Sequence, residues 1–593
     1  MKWSRASGVL GGTVWLGLLG VWLAARDEGR TIEGLLLLAV LILVPLALRL
    51  VATPSRTGRH PLSYRAAVLL QPVAAALAIG SFFSPPGVWA AVLATPWALV
   101  TGLLGLFGLV RLLLQGIVQA DEACIDVGLL YLPVGGFWLV LSRLGATPLG
   151  FQEPIVLLTA VHFHYAGFAA PILTGMAGRK LAVGRPAPQA AFSLVASGVI
   201  AAPLLVALGI VFSPPLEVMA AALLAASLVA LASVNIFVLV RVIPQRLARG
   251  LLVVSSASVV LGMLFACLYA VGQARGAPAI TVPQMILIHG LVNALGFVLG
   301  GLLAWTIVRP QSHLPPPGIP FSTLTSRGRV GPDFFHRTTT VTPTSTSPPG
   351  LVDNLAEYRR PDFDPDRIHP DIRSFYEQTS HYGLLVRPEW QPGFRRAARL
   401  FKRFSSWVGQ MNLPVSAERR EDLIDSQILL VDDARDGRTN VRAWVRTYTR
   451  TGEAVYVAAY ANHSMAGQRY MNIAFPLPGG NLTSILRLEC LEAGAGAAGL
   501  LLTTLPMPGG KGDEGVYFAN RVLPVRLPLN ETIRVWPAGQ SRVPPDGGAS
   551  EQAAPTIVAR HDMWLFGIKF LTLDYAIFLR EGANAAVGLH PSD

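Results

Sequence analysis

Apolar residues dominate residues 1–310 in ten separate stretches, and no stretch of comparable length follows them. A helix needs ~20 mostly apolar residues to cross a bilayer, and each stretch is of about that length. The pattern therefore predicts an α-helical transmembrane bundle of about ten helices. The ten stretches are residues 8–25, 31–51, 66–83, 88–110, 124–143, 152–176, 189–212, 216–240, 250–273 and 284–308.

The remaining residues carry three other patterns. Residues 311–360 are rich in Pro, Ser and Thr, which predicts a linker. Residues 361–415 predict a helical segment that includes a basic amphipathic helix over 392–411. Residues 416–593 contain short stretches that alternate with period two between turn residues, which predicts an all-β domain, either a sandwich or a small barrel.

Composition and charge agree with a membrane protein. Hydrophobic residues make up 52% of the chain and charged residues 14%, against ~25% charged residues in soluble domains. The net charge of +12 is explained by cytoplasmic loops and anionic lipid, so we expect the lipid bilayer and no nucleic acid as partner. Lys and Arg concentrate in alternate loops, with Arg111 and Arg179 among them. Both termini and the β domain are therefore predicted to be cytoplasmic, at a bacterial inner membrane.

Two parts of the membrane region resemble each other at an offset of about 129 residues. The pattern predicts two leading helices followed by two four-helix repeats, 66–176 and 189–308. Because four spans are an even number, both repeats would enter the membrane from the same side and run parallel. The matched segments are Phe83–Pro86 with Phe212–Pro215, Phe107–Arg111 with Phe237–Arg241, and Gly167-Phe168 with Gly296-Phe297.

Polar side chains interrupt the sixth and tenth stretches. The sixth contains His162, His164 and Tyr165, and the tenth contains His289 and Asn293. Polar and ionisable groups at that depth are costly in lipid and are functional candidates. His162 and His164 project about 200° apart on a helix, so a ligand site needs His164 with His289, or with groups of other spans.

Three uses of these residues compete. They could bind a small ligand or relay protons in a transport-type protein, or ligate haem iron or another metal. They could also hydrogen-bond neighbouring helices without further function. Asp121, Glu122 and Asp126 gather where the fifth span begins and are interpreted as helix-start charges rather than a cation site.

The second half of the chain contains a candidate lipid-binding helix and no catalytic motif. The basic helix could lie on anionic lipid at the inner leaflet or pack on the β domain. The β domain contains no nucleophile elbow, P-loop or metal-spaced His/Cys set, which favours a protein without catalytic activity and predicts no metal site. The basic residues of the helix are Arg395, Arg396, Arg399, Lys402 and Arg403.

The segment from Leu157 to Phe168 resembles a signature of the bacterial YndJ-like membrane proteins, and His289 to Phe297 resembles a second. Ile368-His369-Pro370 and Phe566 to Tyr575 are similar to the cytoplasmic part of the longer members. The resemblance implies an integral membrane protein of a type sometimes labelled a transporter.

Three function classes follow. The leading hypothesis is a transport-type or small-ligand-binding membrane protein with the His/Asn site, its substrate unknown. The second is a haem or quinone redox protein that uses the intramembrane histidines. The third is a non-catalytic sensor or scaffold whose β domain binds lipid or protein.

Overall fold

The computed structural model divides the chain into two compact units, Met1–Pro316 and Pro317–Asp593. The described residues are 2–24, 30–53, 60–117, 119–182, 189–277, 280–312, 318–343, 347–415, 423–465, 467–491, 497–507, 512–540 and 555–580.

The first unit is a bundle of apolar helices. Among its described residues, nine helices, α2 to α10, are long and apolar enough to cross a membrane. They follow α1 (Lys2–Ala24), whose apolar stretch Ala6–Val21 is shorter than a span. The predicted transmembrane bundle is therefore confirmed. The nine helices are α2 Thr31–Val51, α3 Leu62–Ser81, α4 Val88–Gln115, α5 Ala120–Leu144, α6 Ile155–Leu181, α7 Gln189–Phe212, α8 Pro214–Val242, α9 Arg246–Ala274 and α10 Val282–Val308.

Several of these helices contain π-helical turns, which are rare and cluster at functional or strained places. One covers Phe163–Ala169 of α6 and another covers Val292–Leu299 of α10. The two begin about 129 residues apart, at the offset of the sequence repeat. The repeat itself stays a prediction.

The second unit contains a closed β-barrel. Ten strands form the ring, in the order β6-β5-β4-β3-β2-β1-β12-β11-β10-β7 and back to β6, and every pairing is antiparallel. Strands β8 and β9 extend the sheet from β6, outside the ring. Of the two predicted alternatives, the small barrel is confirmed. The strands are β1 Tyr382–Trp390, β2 Ile424–Leu430, β3 Arg442–Tyr448, β4 Ala454–Met465, β5 Gln468–Leu477, β6 Gly480–Leu491, β7 Gly499–Thr503, β8 Gly515–Ala519, β9 Val525–Arg526, β10 Leu529–Pro537, β11 Ile557–Leu565 and β12 Ile568–Leu579.

Short helices accompany the barrel. They are α11 Phe334–Arg337, α12 Pro370–Glu377, α13 Arg395–Val408 and α14 Asp433–Asp436. Strand β1 lies between α12 and α13, inside the segment that was predicted to be helical. Its sequence places Leu384, Leu385 and Val386 in a row and contains Pro388, so it lacks the apolar/polar alternation that indicates a strand.

Residues 318–343 cover part of the outer surface of the barrel. Their side chains Leu324, Val330 and Phe335 pack with outward-facing residues such as Val445 and Val457. Strands β3 and β4 are therefore buried on both faces, which explains their continuous apolar sequence. This part of the segment predicted as a linker contacts the β unit.

Candidate functional site

His164 of α6 lies in the interior of the helical unit and is fully buried. Its Nδ1 is 2.8 Å from the carbonyl oxygen of Ala160, and the indole N–H of Trp97 donates to its Nε2 at 3.1 Å. The first nitrogen must then carry the proton and the second must accept. A Cβ atom at Gly135 would lie 2.6 Å from Nδ1, so α5 can approach the ring only with glycine there. In this arrangement neither nitrogen has a lone pair left for iron.

The neighbours of His164 on α6 are also engaged with backbone. The Tyr165 hydroxyl donates to the Leu35 carbonyl of α2 at 2.8 Å, which ties two spans together. His162 Nδ1 lies 2.9 Å from the Leu158 carbonyl, one turn earlier on the same helix. The Tyr165 contact is of the kind that holds helices together in lipid, whereas the His162 contact lies within one helix.

On α10, His289 and Asn293 form a local pair. His289 Nδ1 is 2.8 Å from the Gly262 carbonyl of α9, and the Asn293 amide donates to the His289 carbonyl at 2.8 Å. Asn293 Oδ1 is buried and has no hydrogen-bond partner in the described part of the chain. His289 lies within electrostatic range of His162, and among the described residues it shares no hydrogen bond with His164. A joint site of His164 and His289 stays a prediction.

A buried ion cluster, which the sequence did not predict, joins α4, α5 and α6. Arg111 contacts Asp126 through Nε and Glu122 through Nη2, both at 2.6 Å. Arg179 binds Glu122 through two nitrogens, each at 2.8 Å. Glu122 and Asp126 do lie at the start of α5, but they are ion-paired and buried rather than solvated. The interpretation of Arg111 and Arg179 as loop charges also misses this burial.

The cluster gathers chain ends from one side of the bundle. Arg111 also donates to the Val51 carbonyl at the end of α2, and Arg179 donates to the Leu50 carbonyl. Ser312, just after α10, donates to Glu122 at 2.7 Å. The ends of α2, α4, α6 and α10 and the start of α5 therefore meet, as an alternating path through a membrane requires. Two positive and two negative charges balance within the cluster. This balance favours a structural role, in which the cluster holds the helix ends together, over an ion-binding site.

The barrel encloses a cavity of about 410 Å³. This volume is within the ~300–1,000 Å³ of small-molecule sites. Side chains of the strands form most of its wall, residues of α12, α13 and the adjoining loops form the rest, and most of them are aliphatic or aromatic. Examples are Leu384, Met471, Leu502, Ile533 and Leu571. A dry, apolar wall of this kind favours an apolar ligand.

Arg446 interrupts this wall. Its side chain lines the cavity and is 7% exposed, and its guanidinium lies 4.1 Å from the ring centre of Trp444 and 4.4 Å from that of Tyr456. Its Nε is buried and unbonded, and no carboxylate of the described residues pairs with it. Among the lining residues it is the only Arg or Lys. The sequence signal is Trp444-Val-Arg446, two residues apart on one strand and therefore on one face.

Glu531 is the carboxylate of the same wall. Its Oε2 lies 2.8 Å from His561 Nε2 on the adjacent strand. Burial raises the pKa of Glu531, but the hydrogen bonds from His561 and Ser484 and the charge of His561 outweigh it, so the pKa lies below its ordinary value. Burial raises the pKa of Tyr575, whose hydroxyl bonds with that of Tyr456, to about 12. The tyrosines are therefore neutral donors at physiological pH.

The two ends of the cavity differ. Phe375 and Tyr376 of α12 line it at one end, and the Phe375 ring lies 5.4 Å from that of Tyr382, where β1 begins. Trp390, where β1 ends, lies ~26 Å further along the strand and contacts Phe570 at 6.3 Å between ring centres. Phe375 and Tyr376, which are both buried, cover the first end. At the second end the lining includes solvent-exposed Phe401 of α13, so the cavity opens there.

The open end is surrounded by exposed apolar side chains. Leu400, Phe404 and Trp407 of α13 recur at helical spacing and form one stripe, with Trp407 64% exposed. Phe566 and Ile568, at the turn between β11 and β12, are similarly exposed. Four of the predicted basic residues are exposed on α13, whereas Lys402 donates to Asn412 at 2.5 Å. The four are Arg395, Arg396, Arg399 and Arg403.

Comparison with known proteins supports the resemblance found in the sequence. The family described as YndJ-like protein matches residues 34–297. A Bacillus subtilis (strain 168) protein, described as uncharacterized membrane protein YndJ, is 31% identical over 573 residues, which cover 97% of this chain and 98% of that protein. No solved structure matches this chain.

Proposed function

Since the chain belongs to the YndJ-like family of membrane proteins, we propose that it is a membrane-anchored binding protein that holds an apolar or amphipathic ligand inside its barrel. This function refines the sensor or scaffold hypothesis, in which the β domain binds lipid. The helical bundle serves as its anchor in the membrane.

The barrel cavity carries this proposal. A closed ring of ten strands surrounds a wall of mostly aliphatic and aromatic side chains. Leaving 410 Å³ unfilled forfeits dispersion contacts that a packed core would make. A ligand with an apolar chain restores those contacts.

The open end of the cavity suits a membrane surface as the source of the ligand. The stripe of Leu400, Phe404 and Trp407 lies beside exposed arginines, which is the arrangement of helices that lie in an anionic interface. Each Arg near anionic lipid contributes ~1 kcal/mol. We propose that α13 and the Phe566 turn contact the anionic inner leaflet, which agrees with the cytoplasmic placement predicted from loop charges.

The intramembrane polar residues support a transport or redox role less well. Both ring nitrogens of His164 are engaged by Trp97 and Ala160, and Tyr165 bonds to backbone. His289 and Asn293 bond mainly to each other and to backbone. We therefore assign these residues to helix packing.

A filled cavity tests the proposal. Ala559 lines the cavity on β11, so Ala559→Trp places an indole inside it. Ala576→Trp on β12 is the matched control, because Ala576 opposes Val558 and is not part of the cavity wall. Full-length protein is purified in detergent and washed free of lipid, and binding of tritiated 1-hexadecanol is measured by scintillation proximity.

The proposal expects saturable binding to wild type and to Ala576→Trp and at least a ~10-fold loss in Ala559→Trp. Circular dichroism and thermal unfolding verify that each barrel is folded. Equal binding by both folded tryptophan variants, or none to wild type, would refute the barrel as the site. Slower hydrogen exchange of residues 395–408 in anionic than in zwitterionic nanodiscs tests the membrane contact, and equal exchange would contradict it.

A further inference from the structure

Arg446 is a buried cation to which no carboxylate of the described residues is hydrogen-bonded, in the wall of a mostly apolar cavity. We propose that the ligand of the barrel is a single-chain amphipathic carboxylate whose anionic group binds Arg446. This inference rests on the proposed function and adds the chemical class of the ligand.

Burial of Arg446 removes its charge from water. A buried charge is expensive unless it is paired and hydrogen-bonded. The rings of Trp444 and Tyr456 flank the guanidinium at 4.1 and 4.4 Å and recover part of that cost through cation–π attraction. They do not accept its N–H groups, so a carboxylate entering the cavity supplies the missing acceptors in the bidentate geometry that a guanidinium fits.

The two rings also fix where the group binds. Contact with both rings restricts the position of the guanidinium, so less freedom is lost when an anion binds it. Tyr456 bonds to Tyr575, and Tyr575 opposes Val386 at the midpoint of β1. The anchoring point is therefore well inside the barrel, and apolar wall extends beyond it toward α12 and toward the open end.

The other charged group in the cavity does not compete for Arg446. Glu531 is bound to His561 at 2.8 Å and accepts a hydrogen bond from Ser484. No ion pair joins Glu531 to Arg446 among the described residues. Among the described residues, one unpaired cation in a cavity of this size matches a ligand with one anionic group and one apolar chain. A diacyl phospholipid would need more volume than about 410 Å³.

The test compares two probes that share one chain. Tritiated hexadecanoate and tritiated 1-hexadecanol are bound to full-length, delipidated protein at pH 8, in the same detergent for all variants. Arg446→Met keeps the length and packing of the side chain and removes its charge. Arg446→Lys restores the charge without the bidentate geometry.

We expect wild type to bind hexadecanoate at least ~10-fold more tightly than the alcohol, which is the effect of one charge-assisted hydrogen-bonded pair. Arg446→Met should abolish this preference and leave 1-hexadecanol binding within about twofold, while Arg446→Lys retains part of it. Equal affinity for both probes, or a preference unchanged in folded Arg446→Met, overturns the carboxylate site and leaves the proposed function standing. Failure of both probes to bind wild type overturns the proposed function itself.

Discussion

Glu122 is the side chain on which the buried ion cluster of the helical unit depends, and Glu122→Gln tests that role. Its two oxygens accept four hydrogen bonds: one from Arg111, two from Arg179 and one from Ser312. The substitution keeps the shape, removes one charge and turns an N–H donor toward two guanidinium groups. The net charge of the buried cluster changes from zero to +1.

The expected cost follows from that uncompensated charge. Removing one partner of a buried ion pair destabilises a protein by about 3–5 kcal/mol. Because glutamine still accepts one hydrogen bond through its amide oxygen, we expect the lower end of this range. Glu33→Gln is the control, since the Glu33–Arg30 pair is partly exposed and exposed pairs contribute about 0–1 kcal/mol.

The assay is reversible unfolding of purified protein in mixed dodecylmaltoside and SDS micelles, followed by circular dichroism. The double variant Glu122→Gln/Arg179→Gln should regain part of the loss, because it returns the cluster to zero net charge while Arg111 and Asp126 stay paired. A loss below about 1 kcal/mol in Glu122→Gln, or strictly additive losses in the double variant, would show that the cluster does not act as a coupled clamp.

Three further substitutions test the packing and the barrel. Trp97→Phe removes the indole donor to His164 and should lower the free energy of unfolding by about 1–3 kcal/mol in the same assay, because a buried acceptor loses its partner. Trp89→Phe, at an exposed position, is the control and should change the free energy of unfolding little. Gly108→Ala should cost about 1–3 kcal/mol, since its Cβ would lie 2.6 Å from Leu129, whereas Gly102→Ala on the same helix meets open space and should be neutral or slightly stabilising. The lowered pKa of Glu531 means that its ionised form stabilises the barrel above the unfolded-state pKa, and that this contribution disappears as the pH falls through the folded-state pKa. The stability difference between wild type and Glu531→Gln, measured by urea unfolding, should therefore shrink from neutral pH to below pH ~4; a constant difference would contradict the pairing.

The architecture was largely predictable because long apolar runs and short alternating runs are direct consequences of their surroundings. A helix that crosses lipid needs about twenty apolar residues, and a strand in a barrel wall points every second side chain toward the interior. Strand β1 was not predicted because Tyr382–Trp390 lies between two helices, does not alternate between apolar and polar residues, and contains a proline. Barrel closure was also beyond the sequence, since it depends on pairing of β1 with β12, which are nearly 180 positions apart.

The sites were harder to predict because a sequence shows which residues are polar but not whether their partners are present. His164 and Arg446 both interrupt apolar patterns, and only the first stood out, because a histidine in a membrane span is rarer than an arginine in a β strand. The ion cluster was missed for a related reason. Arg111 and Arg179 lie near span ends, where loop charges are expected, and their burial depends on the distant Leu50 and Val51 carbonyls.

The buried polar groups of this chain differ in whether they have hydrogen-bonding or ion-pairing partners, and this difference distinguishes packing residues from the proposed binding residue. The charges of Glu122, Arg111 and Arg179 neutralise one another, and both nitrogens of His164 are bonded. The single unbonded oxygen of Asn293 belongs to a neutral amide, whose missing partner costs only about 1–3 kcal/mol. Arg446 differs from these groups because it combines a full charge, burial and an open volume beside it. A fold tolerates such a group when a ligand completes it, and for this reason we propose the barrel, rather than the membrane helices, as the site of ligand binding.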